Sequence, residues 1–257
     1  MKPFISIIIP SFNKVRFIGK TLESIVSQDY QNYEVIVQDG GSTDGTLRII
    51  EKYVSKYPAN MRFESKKDKG QWDAINKGFK KAKGKILAYI NADDIYKDGA
   101  LAEIERLYRL NIDALWFAGR GNVIDKNGVE IAKFATAYKN LLLFLNRKSL
   151  ILILNYLMQP SVFITKKAWT RFGPFTGSRN FVMEYDLWLK IAKFKMPVVT
   201  KRYLSSFRIE PGTITKKYSE ILLKEDEMII KRHTDNPLIL FLHGLHNIGR
   251  LAVSRFV

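Results

Sequence analysis

The chain has 257 residues, enough for one large α/β domain with an appended piece and a sizeable core. A hydrophobic share of 46% argues against disorder, and the lack of cysteine rules out a disulfide scaffold while leaving a reducing cytosol open. Net charge is +17, and between 133 and 208 nine Lys and five Arg face two acids, Glu184 and Asp186. Such a surface suits nucleic acid, anionic lipid or a phosphorylated acceptor, or is a solvated basic face.

The first apolar run, 4–9, reads as a strand. It is too short for a signal peptide, Pro10 interrupts it, and no small-residue cleavage site follows. Strands are expected at 4–9, 34–38, 62–65, 85–91 and 113–117, with helices at 16–27, 43–56, 71–82 and 98–109 between them. That alternation implies βαβ units and an α/β fold, a mostly parallel sheet with helices on both faces. A hairpin is expected over 119–134, where Asp125-Lys126-Asn127-Gly128 supplies turn chemistry. Two apolar helices follow in 137–158, then a strand at 159–165. A helix opens near Glu184, with Leu187, Ile191 and Phe194 at helical spacing, and two more close the chain at 217–233 and 237–256.

The longest apolar stretch, 141–158, is broken by Asn146, Arg147 and Lys148 and falls short of the ~20 residues a spanning helix needs. In the last helix, Leu238, Phe241, Leu242, Leu245, Ile248 and Ala252 form an apolar stripe opposite His243, Asn247, Arg250 and Ser254. That stripe either lies in an anionic membrane surface or docks on the protein's own core or a second subunit. His233, His243 and His246, all in these last helices, are the only histidines, which argues against a zinc site and a Ser-His-Asp hydrolase.

Three acidic clusters stand at the ends of apolar runs. Ligands of open parallel sheets bind outside the carboxyl ends of the strands, so all three point at one crevice. Asp39, at the tip of the second strand in "VIVQDGGSTDGT", suits recognition of a base or ribose, whereas Ser42, Thr43 and Asp44 read as caps of the next helix. In "DKGQWDAINKGF", Asp68 is either a ligand or a turn residue, and Asp73 either a ligand or a helix-dipole partner sharing a face with Asn76 and Lys77. In "ILAYINADD", the adjacent Asp93 and Asp94 end a buried strand. Two ionised carboxylates side by side need a counter-charge, and Mg2+ or Mn2+ carried by a diphosphate supplies one; the alternative is a helix cap.

With these motifs together, the chain resembles a family 2 glycosyltransferase of the GT-A fold, of the kind that builds bacterial surface polysaccharides, from Phe4 to about Thr215. The resemblance implies a glycosyltransferase domain over 1–215, divided into a nucleotide-sugar half (1–117) and an acceptor half (118–215), with helices over 216–257. It implies that Asp39 meets the base, Asp93 the ribose or phosphate, and Asp94 the metal. Asp68 and Asp73 would lie near the donor sugar and ribose, and Pro10, Asn13, Gly70, Asn76 and Arg208 complete the donor-binding set. The family's base belongs to an acidic motif read here as "MEYDLWLK", so Glu184 or Asp186 would take the acceptor proton. Glu210 stands where related chains often carry His, and no role is assigned to it.

The resulting expectation is an inverting, metal-dependent transfer of a sugar from a nucleotide-diphosphate donor, a UDP-sugar, to an acceptor hydroxyl. The acceptor is a saccharide, in its lipid-linked form where the enzyme sits at the inner face of the cell membrane, with a cytoplasmic location. A carboxylate-pair glycoside hydrolase and a basic nucleic-acid binder are the alternatives. The first does not explain the acid pair on a parallel strand. The second is disfavoured by acids lining the crevice, so nucleic acid is not expected as a partner.

Overall fold

The computed structural model describes residues 2–176, 182–209 and 219–254. The first half alternates as the periodicity requires: β1 (Ile5–Ser11), α1 (Ile18–Val26), β2 (Tyr33–Asp39), α2 (Thr46–Lys56), β3 (Met61–Ser65), α3 (Gln71–Lys81) and β4 (Ile86–Tyr89). Every residue of β1, β2 and β4 is buried. Their β-branched side chains fit a pleat covered on both faces. Successive residues of β1 feed opposite cores: Ile7 and Ile9 pack with Ile18 and Leu22 of α1, while Ile8 packs with Ile75 and Phe79 of α3. Gly78 lets α3 lie close on the sheet, since a Cβ there would sit 2.4 Å from Cγ2 of Ile8.

The chain continues through β5 (Ile95–Tyr96), α4 (Ala100–Leu110), β6 (Trp116–Ile124), β7 (Glu130–Ile131), α5 (Lys133–Leu145) and α6 (Lys148–Ile153). A 3₁₀ turn at Gln159–Ser161 leads into β8 (Val162–Thr165), α7 (Lys166–Phe172), α8 (Met183–Ala192) and β9 (Val198–Arg208), and α9 (Ser219–Lys231) and α10 (Pro237–Ser254) follow. The described strands form one sheet in the order β3-β2-β1-β4-β8-β6-β9-β5, with β7 paired to β6. The β3-β2-β1-β4 half is parallel; beyond it β8 runs antiparallel to both β4 and β6, and β6 parallel to β9.

Three elements, β6, β9 and α7, depart from expectation. The strand expected to stop at 117 runs on as β6 to Ile124 and is itself the first arm of the hairpin, with Val123 opposite Ile131. Gly119 and Gly121 allow this close approach, because a Cβ at Gly119 would sit 2.4 Å from Leu204 of β9. β9 and α7 were not anticipated, because interspersed Lys, Arg and Ser hide the strand pattern of β9. The last helix is oriented by its polar side: His243 and Asn247 are buried while Leu238, Phe241, Leu245 and Ile248 are exposed. The boundary expected at 215 lies outside the described residues, as does Glu210.

Candidate active site

The carboxyl ends of β1, β2 and β4 gather the predicted residues at one edge of the sheet. Pro10, next to last in β1, lies opposite Gln38, and Asn13 follows in the left-handed region at φ 50. The β1 and β2 loops are latched together: Asn13 N donates to Ser42 Oγ at 2.8 Å, and Thr43 N to Asn13 Oδ1 at 2.9 Å. Ser42 is therefore no helix cap. It donates to Asp39 Oδ1 at 2.5 Å, and the backbone of Gly41 and Ser42 and the hydroxyl of Ser65 donate to Asp39 Oδ2. The N-cap of α2 is Gly45, and Asp44 just before it accepts from Thr46 N at 3.0 Å.

Asp39 and Asp68 line a cleft of about 520 Å³ together with Gln38, Lys66 and Lys77. Asp68 Oδ1 accepts from Gly70 N at 2.8 Å, and its Oδ2 leaves no room for a Cβ on Gly40. Gly70, at φ 121, turns the chain into α3. Phe12, 59% exposed, stands beside Gly40 at the same edge. It is a flat apolar surface that the acid-centred sequence reading passed over.

Two predicted donor residues are committed elsewhere. Asp73 closes on its own helix: burial pushes its pKa up, but hydrogen bonds from Lys77 and the Lys69 backbone outweigh that and lower it. Asn76 spends both ends of its amide on the backbone of Phe175, at 2.9 and 3.0 Å. Its work is to tie α3 to the segment before α8.

Beyond β4, the two acids of "NADD" sit in different surroundings. Asp93 Oδ2 holds Lys14 Nζ at 2.5 Å. Asp94 is fully buried; its Oδ1 accepts from Arg208 N at 2.8 Å, and its Oδ2 has no hydrogen-bond partner among the described residues. Burial and the neighbouring Asp93 charge push the Asp94 carboxyl well above the usual carboxylate range. A buried carboxylate oxygen without a donor, beside a second acid, fits a divalent cation. Among the described residues no three acidic, His or Cys side chains converge to hold one, so a substrate diphosphate and water would complete its shell.

Arg208 is displaced from its expected task. It is 2% exposed, its guanidinium donates to the backbone oxygens of Asp93 and Asp125, and it packs over Phe17. It holds the acidic loop in shape from behind and does not face a phosphate.

Glu184 and Asp186, both in the first turn of α8, differ sharply. Asp186 is the hub of an ion-pair cluster: Lys190 at 2.7 Å, His233 at 2.9 Å and Arg232 at 3.6 Å. Burial raises its pKa, yet the hydrogen bonds from His233 and Lys190 and the nearby cationic charge override this and hold it at about 2. Glu184 is half-buried and hydrogen-bonded by the hydroxyl of Tyr89, the last residue of β4, which also feels the charge of Asp94. Burial, reinforced by the charge of Asp226, pushes Glu184 up to about 7. Tyr89, Lys14 and Gln159, which donates to Tyr89 O at 2.9 Å, were not picked out from the sequence, since none is acidic.

The model of glycosyl transferase family 2 matches residues 6–167, more than half of the chain. The chain belongs to glycosyl transferase family 2. Within the family it is 36% identical over 138 residues to the dolichyl N-acetyl-alpha-D-glucosaminyl phosphate 3-beta-D-2,3-diacetamido-2,3-dideoxy-beta-D-glucuronosyltransferase of Methanococcus voltae, covering 51% of this chain and 43% of that one. The fold is that of two solved structures: TarS of S. aureus with UDP-GlcNAc (TM-score 0.69, 18% identity, 88% of this chain and 65% of that one) and the mannosyltransferase PcManGT of Pyrobaculum calidifontis with GDP-Man and Mn2+ (TM-score 0.73, 18% identity, 99% and 74%). Several curated relatives are much longer, and the chain spans 27% to 43% of their length.

Proposed function

We propose that this glycosyltransferase moves a sugar, with inversion, from a nucleotide-diphosphate donor to an acceptor hydroxyl, and that Glu184 is the base. The observation that carries the reading is the contrast on α8: of two acids two residues apart, only Glu184 is free of a cationic partner at salt-bridge distance among the described residues and has a pKa near neutrality. A base matched to the working pH accepts a proton most effectively.

On this reading Asp39 faces the nucleobase in the 520 Å³ cleft, whose Lys66 and Lys77 favour an anionic ligand. Phe12 offers the base a stacking surface. Asp94, with Asp93 beside it, would hold Mg2+ or Mn2+, which when bound neutralises the charge that develops on the departing diphosphate. Glu184 withdraws the acceptor proton as that oxygen bonds to the anomeric carbon from the face opposite the diphosphate, and the carbon–oxygen bond to the diphosphate breaks. Tyr89, donating to Glu184, holds the carboxylate in place between β4 and α8. Support for a uridine donor comes from the UDP-GlcNAc of the TarS structure; the GDP-Man of PcManGT makes a guanosine donor the comparison. The acceptor is a saccharide carried on a lipid, and the enzyme works peripherally at the inner face of the membrane. Among the described residues no helix is long and apolar enough to cross it.

Calorimetry with UDP- and GDP-sugars, with Mg2+ or Mn2+ and with chelator, tests the donor side. Metal-dependent binding that Asp94→Asn abolishes is the expected result. Binding unchanged by both chelator and Asp94→Asn would overturn the metal assignment, and an NMR-defined product with retained anomeric configuration would overturn inversion.

A further inference from the structure

Helices α5 and α10 each carry a second apolar face. A surface helix normally buries its apolar side and shows a polar one; these two bury polar groups along with a few leucines and also present apolar stripes to solvent. On α5 the exposed stripe is Phe134, Tyr138, Leu141 and Leu145, spaced as one helical face, with Phe134 88% and Leu141 60% exposed. Its inner side carries Leu142 and Leu143, which join the main core, together with Thr136 and Asn140, the last bonded to the backbone of Gly121. On α10 the stripe is Leu238, Phe241, Leu245 and Ile248, with Phe241 66% and Ile248 68% exposed.

The polar side of α10 is anchored. His243 bonds to Ile153 O at 2.8 Å, Asn247 to His243 at 3.1 Å, and Arg250 to Asp226 of α9 at 2.6 Å. α10 packs on α6, the short helix that directly follows α5, and takes its His243 anchor from the end of that helix. Neither stripe can turn inward without breaking its polar anchors.

The surrounding charge identifies the occupant. No Asp or Glu occurs in 131–183 or in 237–257. Exposed Lys133 stands at one end of the α5 stripe and exposed Arg147 and Lys148 at the other, while Lys231 and Arg232 lead towards α10. Among the described residues the exposed acids nearby are Glu130 just before α5, Glu227 on α9 and Asp235 in the turn before α10, fewer than the cations around them. A second copy of this face would bring cations against cations. An anionic lipid surface offers both an acyl boundary for the stripes and headgroups for the cations.

We propose that α5 and α10 together form a two-railed face that seats this enzyme on an anionic bilayer. The inference rests on the peripheral placement proposed above and supplies the surface that performs it. Two separated stripes also fix the orientation of the bound enzyme, which a single helix free to roll about its axis does not.

The test is sedimentation of the full chain with vesicles of phosphatidylcholine alone and of phosphatidylcholine with phosphatidylglycerol, at low and high salt and without donor. The expected result is binding to the anionic vesicles, weakened by salt. The paired substitutions Phe134→Ser with Leu141→Ser, and Phe241→Ser with Ile248→Ser, should each lower the partition coefficient by about tenfold or more. Ile112→Ser, at an equally exposed apolar side chain before β6, should leave it unchanged. Lys133→Ser with Lys148→Ser removes charge without touching either stripe and should reduce the salt sensitivity. A chain that stays in the supernatant overturns the proposal. So does light scattering that shows a dimer dispersed by the same apolar substitutions while vesicle binding ignores them. Turnover of a nucleotide-sugar on a soluble acceptor reports on the transferase reading separately.

Discussion

Two acids on one turn of α8, Glu184 and Asp186, have opposite electrostatic fates, and each predicts its own phenotype. Glu184→Gln should lower kcat by about 10²–10⁴-fold while donor affinity stays within about twofold, because the loss is of proton transfer alone. With the carboxyl raised to about 7, the ionised base is depleted below that pH. The wild-type rate should therefore climb with pH and level off above about 7; a profile flat from pH 5.5 to 8 would dismiss Glu184 as base. Asp186, held at about 2 with 12% of its side chain exposed, is a stability residue. Its folded pKa lies below the ordinary 3.8, so its contribution is present above about pH 4 and lost as pH falls towards 2. Asp186→Asn should cost about 2 kcal/mol at pH 7 in urea unfolding, with the gap to wild type closing in acid. A variant as stable as wild type at pH 7 would show that the cluster is neutral in net effect.

At the scale of elements, the crevice depends on how closely α3 lies on β1. Gly78 sets that distance, and the Asn76 amide then pins the helix to Phe175. Gly78→Ala forces a methyl group to 2.4 Å from Ile8, in the middle of a fully buried strand. Overpacking of this kind costs about 1–3 kcal/mol, which in a chain of this size lowers Tm by roughly 3–10 °C. A differential melt checks it; an unchanged Tm would mean that α3 shifts freely, and with it Asp73 and Gly70. Arg208 shows the same logic from the other side of the sheet. By gripping the backbone of Asp93 it makes β9, a strand remote in sequence, responsible for the shape of the acidic loop.

At the scale of the whole molecule, the C-terminal helices pack into the main core. Leu222, Ile229 and Ile230 of α9 belong to the main core, and Arg232 and His233, just beyond it, hold Asp186 on α8. Burying three such side chains contributes roughly 5–8 kcal/mol, comparable to the net stability of an ordinary domain. A chain ending at 216 should therefore lose its cooperative melt, and near-UV circular dichroism would reveal it. If that truncated chain melted within a few degrees of the full one, the C-terminal helices would be dispensable for folding.

What the sequence by itself determined is whatever depends on short-range pattern. Apolar runs ending in acids marked β2 and β4 as parallel strands, and Asp39, Asp93 and Asp94 therefore stood at their tips, because strand and loop chemistry are both local. The family motifs singled out α8 as the source of a base on the same grounds. Only the tertiary structure decided which of two neighbouring acids is available, because the partners of Asp186 arrive from His233 and Arg232, more than forty residues away. It also showed Asn76 and Arg208 bonded to the scaffold, through contacts with Phe175, Asp93 and Asp125. The stripe of α10 was legible as a pattern, but not its direction. A helical wheel says which residues share a side; which side faces inward depends on whether the neighbours offer apolar surface or hydrogen-bond partners, and here Ile153 O and Asp226 offered the latter.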